Sequence, residues 1–300
     1  MTCPYYKRHP AGTQSKGLDM QDTGTLYIVA TPIGNLADIT FRAVDILRQC
    51  DLIMAEDTRH SRVLLEHYGV TTKVTALHEH NERARADSLV EKLRQGAKIA
   101  LISDAGTPLI SDPGYPLVRA CREAGVNVVP IPGPSAVVAA LSAAGLPTDR
   151  FMFIGFLAAK AGAREGQLQS LADEAATLVF YESPRRLLSS LQSMRDVFGS
   201  ERDVVVAREV TKQFETFLYG SLSEVIERVA ADSNQQRGEL VVMLHGARRD
   251  AEAVPAAAES LLKSLSEHLP LKKAAAVVAE HYGLRKNQLY QLGLSWQQDS

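Results

Sequence analysis

Five times between residues 26 and 131, a short run of largely apolar, often β-branched residues gives way to a stretch with helical spacing, and nothing else in the chain restricts its fold as strongly. The runs cover 26–30, 51–55, 74–77, 99–102 and 126–131. Repeated strand-then-helix units imply a parallel sheet, because parallel neighbours need a crossover long enough to hold a helix. The helix boundaries carry the usual marks. Thr40 precedes Phe41, Val44, Ile46 and Leu47, Asn81 precedes Leu89, Val90 and Leu93, and Ser135 precedes Ala136–Ala144, which stops at Gly145. One doubly wound α/β domain over residues 25–149 is the expectation.

A second alternation follows, with strands at 151–157, 178–181, 204–207, 214–219 and 240–244 and helices at 185–197 and 221–230. The runs at 204–207 and 214–219 stand too close for a helical crossover, so part of this sheet must be antiparallel. Residues 150–247 therefore read as a second α/β domain with a mixed sheet. The stretch 247–258 turns to Ala, Glu, Arg and Pro255, a linker composition, before Leu261 starts a small helical tail, so 255–300 is a third unit. Residues 1–24 hold Pro4, Pro10 and Gly12 and no apolar stretch like a signal-peptide core; they read as a disordered tail. The uncharged stretch 126–148 is broken by Pro130, Pro132, Gly133 and Pro134, which argues against a membrane span.

Bulk composition, 45% hydrophobic and 23% charged, is that of a globular chain and excludes fibrous and disordered classes. With 33 basic and 35 acidic residues, any nucleic-acid surface must be local. Cys3, Cys50 and Cys121 are spaced too widely for a zinc knuckle or a disulfide framework, which fits free thiols in the cytoplasm.

In open α/β sheets ligands bind beyond the carboxyl ends of the strands, so the first residues after each strand carry the chemistry. Here they are Thr31-Pro32-Ile33-Gly34-Asn35, Glu56-Asp57-Thr58-Arg59, His78-Glu79-His80-Asn81, Ser103-Asp104-Ala105-Gly106-Thr107-Pro108 and Pro132-Gly133-Pro134-Ser135, five polar loops expected on one rim. No GxGxxG follows the first strand, and no P-loop, zinc spacing or GxSxG elbow occurs, so hydride transfer, NTP hydrolysis and esterase chemistry lose support. Asp104, Gly106 and Thr107 offer a carboxylate, a close backbone approach and a hydroxyl, which suit a ribose and a cationic cofactor better than a pyrophosphate.

The strings LYIVATPIGNLADIT, AEDTRHSRVLL, HEHNE, LISDAGTPLISDPG, VVPIPGPSA, GLPTDRF and FYESPRRL, with the runs Val205–Lys212 and Arg237–Val241, resemble the ribosomal RNA small subunit methyltransferase I family of the tetrapyrrole methylase superfamily over about residues 25 to 295. The resemblance implies a homodimer that holds S-adenosylmethionine between two α/β domains and methylates the 2′-hydroxyl of a cytidine in 16S rRNA. Carried onto this chain, it places the cofactor against Pro32, Gly34, Asp104, Ala105, Gly106, Thr107, Pro132, Gly133, Ser135 and Tyr181, with backbone around Arg208 and Gly238 to Val241 closing the site. The single Gly34 in the first loop departs from the glycine-richer loop of tetrapyrrole-specific relatives. Two other readings compete: a methyltransferase for a tetrapyrrole, and a cofactor- and RNA-binding protein without catalysis.

A ribose hydroxyl is a weak nucleophile at neutral pH, so a carboxylate or imidazole beside it would help. Asp57, Glu79 and His80 are the candidates, with His78 nearby; Glu56 and Asp57 also suit the cap of the helix that begins at Thr58. His78 and His80 lack a third ligand, so no metal is expected. For RNA the search is for clustered Lys and Arg. Between His268 and Gln298 stand Lys272, Lys273, Arg285 and Lys286 against Glu280, a local 4 − 1 = +3, in a helix, glycine turn, helix pattern that resembles a helix-turn-helix or a plain helical hairpin. Arg185, Arg186 and Lys212 form a second basic group, and Arg59 a further contact.

Overall fold

The structure is a computed structural model and describes residues 24–78, 82–247 and 254–298. Its first domain runs β1 (Thr25–Val29), α1 (Phe41–Gln49), β2 (Leu52–Ala55), α2 (Thr58–His67), β3 (Val74–Ala76), α3 (Glu82–Arg94), β4 (Lys98–Ile102), α4 (Tyr115–Glu123), β5 (Asn127–Ile131) and α5 (Ala136–Ala144). All five strands are parallel, in the order β3-β2-β4-β1-β5. Successive side chains of β4 alternate between two cores. Ile99 and Leu101 pack with α3 and α4, whereas Ala100 and Ile102 pack with α1 and α2. Both faces are dry, which is why the strands read as continuous apolar runs.

Thr40 caps α1, its hydroxyl accepting from the Ala43 amide at 3.1 Å. Ser135 holds the N-cap position of α5 but makes no side-chain capping bond, so that cap is positional only, while Gly145 ends the helix in the left-handed region at φ 69. Asn81, expected to start α3, lies outside the described residues.

The second domain comprises β6 (Phe151–Phe156), α6 (Ala161–Gln169), β7 (Thr177–Glu182), α7 (Leu187–Phe198), β8 (Asp203–Arg208), β9 (Thr216–Ser221), α8 (Leu222–Ala231) and β10 (Leu240–Leu244). The sheet order is β6-β7-β10-β8-β9; β6 and β7 are parallel and every other pairing is antiparallel. The mixed sheet expected from the short gap between β8 and β9 is what forms. Helix α6 escaped the sequence reading because Gly162 and Gly166 interrupt it and only Arg164 and Leu168 are buried.

One helix changes allegiance. In sequence α5 completes the first domain, yet Val137, Ala140 and Leu141 pack against Val179, Val205, Ala207, Val241 and Met243 of the second sheet. The other face of that sheet is covered by α6, α7 and α8 around Phe180, Leu191, Met194 and Val225. A helix built from Ala and Val can lie close to a sheet, and this one ties the end of β5 to the second domain.

The third unit is α9 (Ala256–Ser266), α10 (Leu271–Tyr282) and α11 (Lys286–Gln298). Helix α9 begins at Ala256, not at Leu261, which corrects the linker expected over 247–258: Pro255 takes the N-cap position and the following alanines are strong helix formers. The core of this unit, including Ala258, Leu262, Ala274, Val278 and Leu289, is drawn entirely from its own three helices. Among the described residues, no helix is long and apolar enough to cross a membrane.

Candidate active site

The loop after β4 is the hub of the strand-tip rim. Thr31, just past β1, exchanges backbone hydrogen bonds with Gly106, donating at 2.9 Å and accepting at 3.0 Å. The Thr31 side chain is buried and donates to the Ser103 carbonyl at 3.2 Å. Thr107 donates its hydroxyl to the Pro134 carbonyl at 2.9 Å, fixing the loop after β5. Asp104 accepts from the Asp57 amide at 3.0 Å and pairs with His60 Nδ1 at 3.2 Å, fixing the loop after β2. Asp104 thus binds across loops instead of folding back on its own turn. Three neighbouring loops are held before any ligand arrives, which is the preorganisation a binding wall requires.

Against this wall stands the second domain, and between them lies a cleft of about 460 Å³, within the usual range for a small-molecule site. The first domain contributes Ile33, Glu56, Asp104 to Thr107, Ile110 to Asp112, Ser135 and Ala136; the second contributes Phe156, Tyr181 to Pro184, Val210 and Gly238 to Val241. Tyr181 is set by an edge-on contact with Phe153 at 4.9 Å and a tilted one with Phe156 at 5.6 Å. Burial pushes its phenol up, with the charges of Asp112 and Glu239 adding to the effect.

Of the residues expected to hold a cofactor, Asp104, Ala105, Gly106, Thr107, Ser135 and Tyr181 line the cleft, together with Gly238 to Val241. Pro32, Gly34, Pro132 and Gly133 are absent from its lining. Gly133 allows the loop after β5 to pass Ala30, whose Cβ would lie 2.9 Å from a side chain there. Gly34 is the seat of Lys212: a Cβ on Gly34 would lie 2.4 Å from Lys212 Cγ. The Lys212 ammonium then bonds Glu209 at 2.8 Å and Glu239 at 3.0 Å, so one side chain of the second domain lies across the first domain at the mouth of the cleft.

The floor on the second-domain side rests on a buried carboxylate. Glu182 is 3% exposed and accepts from the Ser190 hydroxyl at 2.5 Å and the Ser183 amide at 2.7 Å, and it pairs with Arg186 at 2.8 Å. Arg186 also donates to the Leu157 carbonyl at 3.0 Å. This network shapes the Ser183-Pro184 turn that lines the cleft, and it occupies Arg186, one of the expected RNA contacts.

Electrostatically the cleft is acidic. Burial raises the Glu56 carboxyl above the ordinary range, helped by Asp112, Asp104 and Asp57. Burial likewise pushes Asp112 up to about 6; a hydrogen bond from Ser103 opposes the shift and the Asp104 charge adds to it. Apolar Ile33, Ile110, Phe156, Leu240 and Val241 supply the rest of the lining, alongside polar backbone from residues 105–107. Carboxylates, apolar walls and exposed peptide groups fit a cationic sulfonium nucleoside and suit a polyphosphate poorly.

Of the three candidate bases, Asp57 falls outside the cleft. Asp57 is the N-cap of α2, accepting from the Arg59 amide at 2.8 Å and pairing with its guanidinium at 2.8 Å. Those hydrogen bonds hold its carboxyl down at about 2, and it is absent from the lining, where Glu56 stands instead. Strand β3 is the sheet edge, with two strands between it and β1, and the loop after it is the one of the five that contributes no described residue to the cleft. Glu79 and His80 lie outside the described residues. Sequence reading missed Ile110, Ser111, Asp112, Phe156 and Glu182 as lining groups, and it placed Glu56 in a site loop without separating it from Asp57. The second aspartate of the LISDAGTPLISDPG string was the available signal for Asp112.

Among the basic residues, Arg59 is exposed at the start of α2 while paired with Asp57, and Arg185 is exposed beside the Ser183-Pro184 turn. Lys272 and Lys273 are exposed on α10, and Arg285 and Lys286 are exposed at the turn into α11. Gly283 ends α10 in the left-handed region, giving the helix, turn, helix form read from the sequence.

A parallel α/β domain joined to a mixed-sheet domain, with an acidic cleft at their junction, defines the class: a two-domain α/β methyltransferase of the tetrapyrrole methylase fold. The profile of the Tetrapyrrole (Corrin/Porphyrin) Methylases matches residues 25–226, and that of the RsmI C-terminal HTH domain matches residues 252–297. The same fold occurs in the methyltransferase CobJ, at a TM-score of 0.56 and 21% identity over 75% of this chain and 96% of that one. It occurs too in the uroporphyrin-III-C-methyltransferase of Thermus thermophilus, at 0.53 and 20% over 74% and 94%. Sequence similarity is far higher elsewhere: the ribosomal RNA small subunit methyltransferase I of Vibrio cholerae is 56% identical over 270 residues, spanning 90% of this chain and 94% of the relative. The Haemophilus influenzae protein of that description is 54% identical over 275 residues, spanning 91% and 97%. The chain belongs to the ribosomal RNA small subunit methyltransferase I family.

Proposed function

We propose that the chain transfers a methyl group from S-adenosylmethionine to the 2′-hydroxyl of a cytidine in 16S rRNA, working as a cytoplasmic homodimer. The observation that carries this reading is the union of an acidic, partly apolar cleft at the strand tips with a separately cored basic helical unit at the C-terminus. The cofactor supplies an electrophilic methyl carbon on a positively charged sulfur. Carboxylates in the cleft would favour that charge, the backbone of residues 105–107 would offer hydrogen bonds to a bound nucleoside, and Tyr181 and Phe156 would supply aromatic surface to it. Phe151 and Met152, exposed on the edge strand β6, are apolar surface that a second copy would cover.

Incubating the pure protein with labelled S-adenosylmethionine and either small ribosomal subunits or free rRNA tests the reading, and mass spectrometry of the digested RNA locates the methyl. Label on the ribose of a 16S cytidine is expected. Label on a base nitrogen, or on nothing, would overturn it.

The basic unit makes a separable prediction. Reversing both charges, Lys272→Glu with Lys273→Glu, should weaken rRNA binding about tenfold or more and lower the slope of log affinity against log salt by roughly one per lost phosphate contact. The cofactor Kd should stay within about twofold, because the core of this unit shares no residue with the domains that form the cleft. Filter binding across a salt series with parallel calorimetry reads both, and an unchanged slope would remove these lysines from the RNA face.

A further inference from the structure

Six titratable side chains line the cleft: Glu56 from the end of β2, Asp104 and Asp112 from the loop after β4, Tyr181 and Glu182 from the end of β7, and Glu239 from the approach to β10. Four are already committed. Asp104 is engaged by the Asp57 amide and His60, Glu182 by Arg186, Ser190 and the Ser183 amide, Glu239 by Lys212, and Tyr181 is a phenol held neutral by its surroundings. Asp112 and Glu56 are left, and they differ in placement. Asp112 lines the cleft together with Asp104 of its own domain and Tyr181 of the other, and its charge reaches both. Among the described residues no cation contributes to its charge balance, and the Ser103 hydroxyl hydrogen-bonds it.

The loop that presents Asp112 is rigidly made. Leu109 at φ 72 and Ser111 at φ 69 both adopt the left-handed region, a strain that persists only where the surroundings over-determine it. Two residues beyond Asp112, the Gly114 amide donates to the buried Glu82 carboxylate at 2.7 Å, which pins the loop to the start of α3. On its other flank Ser111 lies against β6 at the register shift near Gly155. A carboxylate with no described cationic partner is thus held in the cleft wall, at a cost in backbone strain.

We infer that Asp112 is the catalytic base of the methyl transfer, taking the proton from the acceptor hydroxyl. The inference rests on the methyltransferase reading above. In the step, the hydroxyl oxygen forms a bond to the methyl carbon as the carbon–sulfur bond breaks, and that bond's electron pair stays on sulfur. The hydroxyl proton passes to the Asp112 carboxylate, which later gives it to solvent. Only the ionised carboxylate can accept, so the rate should climb as pH rises through about 6 and level off above it.

Four measurements on the whole chain test this. Asp112→Asn should slow single-turnover methylation at pH 8 by about 10²- to 10⁴-fold. Wild-type enzyme should show the pH inflection, and Glu56→Gln should retain it. Independently of turnover, calorimetry at pH 6 in buffers of different ionisation heat should show a proton released on binding S-adenosylmethionine, because the sulfonium favours the ionised carboxylate. Asp112→Asn should lose that release, and its melting temperature at pH 8 should equal or exceed wild type, since a partly buried charge has been removed. A single-turnover rate within about threefold of wild type, or a wild-type rate flat from pH 5 to 8, would overturn the assignment. Failure of the wild-type protein to bind the cofactor or to methylate any RNA would instead defeat the reading beneath it.

Discussion

Glu182→Ala is expected to cost about 3–5 kcal/mol of stability, the usual penalty when one partner of a buried ion pair is removed and the other is left uncompensated. Arg186, the Ser190 hydroxyl and the Ser183 amide would all lose their acceptor at once. For domains of this size each kcal/mol shifts the melting temperature by roughly 2–4 °C, so a fall of about 6–20 °C should appear in a thermal scan. Glu182→Gln keeps the shape and one acceptor and should fall less. The Ser183-Pro184 turn lines the cleft, so the Ala variant should also bind S-adenosylmethionine more weakly at temperatures where it is still folded. A drop under about 2 °C would show that Arg186 and Ser190 find other partners easily.

Gly238→Ala should damage the cleft more than the fold. At φ +79 an alanine is strained, by about 1–2 kcal/mol, and its Cβ would lie 2.3 Å from Glu209 Oε1 and 2.6 Å from Glu209 Cγ. That carboxylate has no slack. It accepts from the Glu239 amide at 2.9 Å and from Lys212 at 2.8 Å, and Glu209 itself stands at φ 53. Displacing it frees Lys212 from Gly34 and opens the mouth of the cleft, so cofactor affinity should fall at least about tenfold, equivalent to about 1.4 kcal/mol. Calorimetry reads this directly. Gly34→Ala attacks the same contact from the other domain and should give a similar loss; wild-type affinity in both variants would separate Lys212 from the cofactor site.

Much of this architecture was legible in the chain. The strand runs placed all ten strands to within about two residues, as expected when apolar runs are bounded by turn residues. The short gap between β8 and β9 dictated a mixed sheet, and the loops after β1, β2, β4 and β5 were rightly singled out as the rim. Composition around Lys272 and Arg285 marked the basic unit. What stayed hidden was long-range. Asp57 and Glu56 are adjacent in sequence, yet one caps α2 and the other lines the cleft, a division set by the direction in which the chain leaves β2. Asp112 sits well past the end of β4, and the left-handed turns at Leu109 and Ser111 bring it back. The packing of α5 on the second sheet could not be read either, because a stripe of Ala and Val marks a buried face without naming its partner.

Local order, then, belonged to the sequence: which segments are strands and helices, where they stop, and which loops carry polar groups, all being matters of residues within a turn or two of one another. The tertiary structure alone decided which of those polar groups meet. Lys212 reaches Gly34, Glu209 backs Gly238, and Asp112 and Tyr181 line one cleft, although these residues are far apart in the chain. The physical reason is that capping and periodicity act over a few residues, whereas charge burial and close packing depend on every group that arrives in the same volume, from whatever distance along the chain.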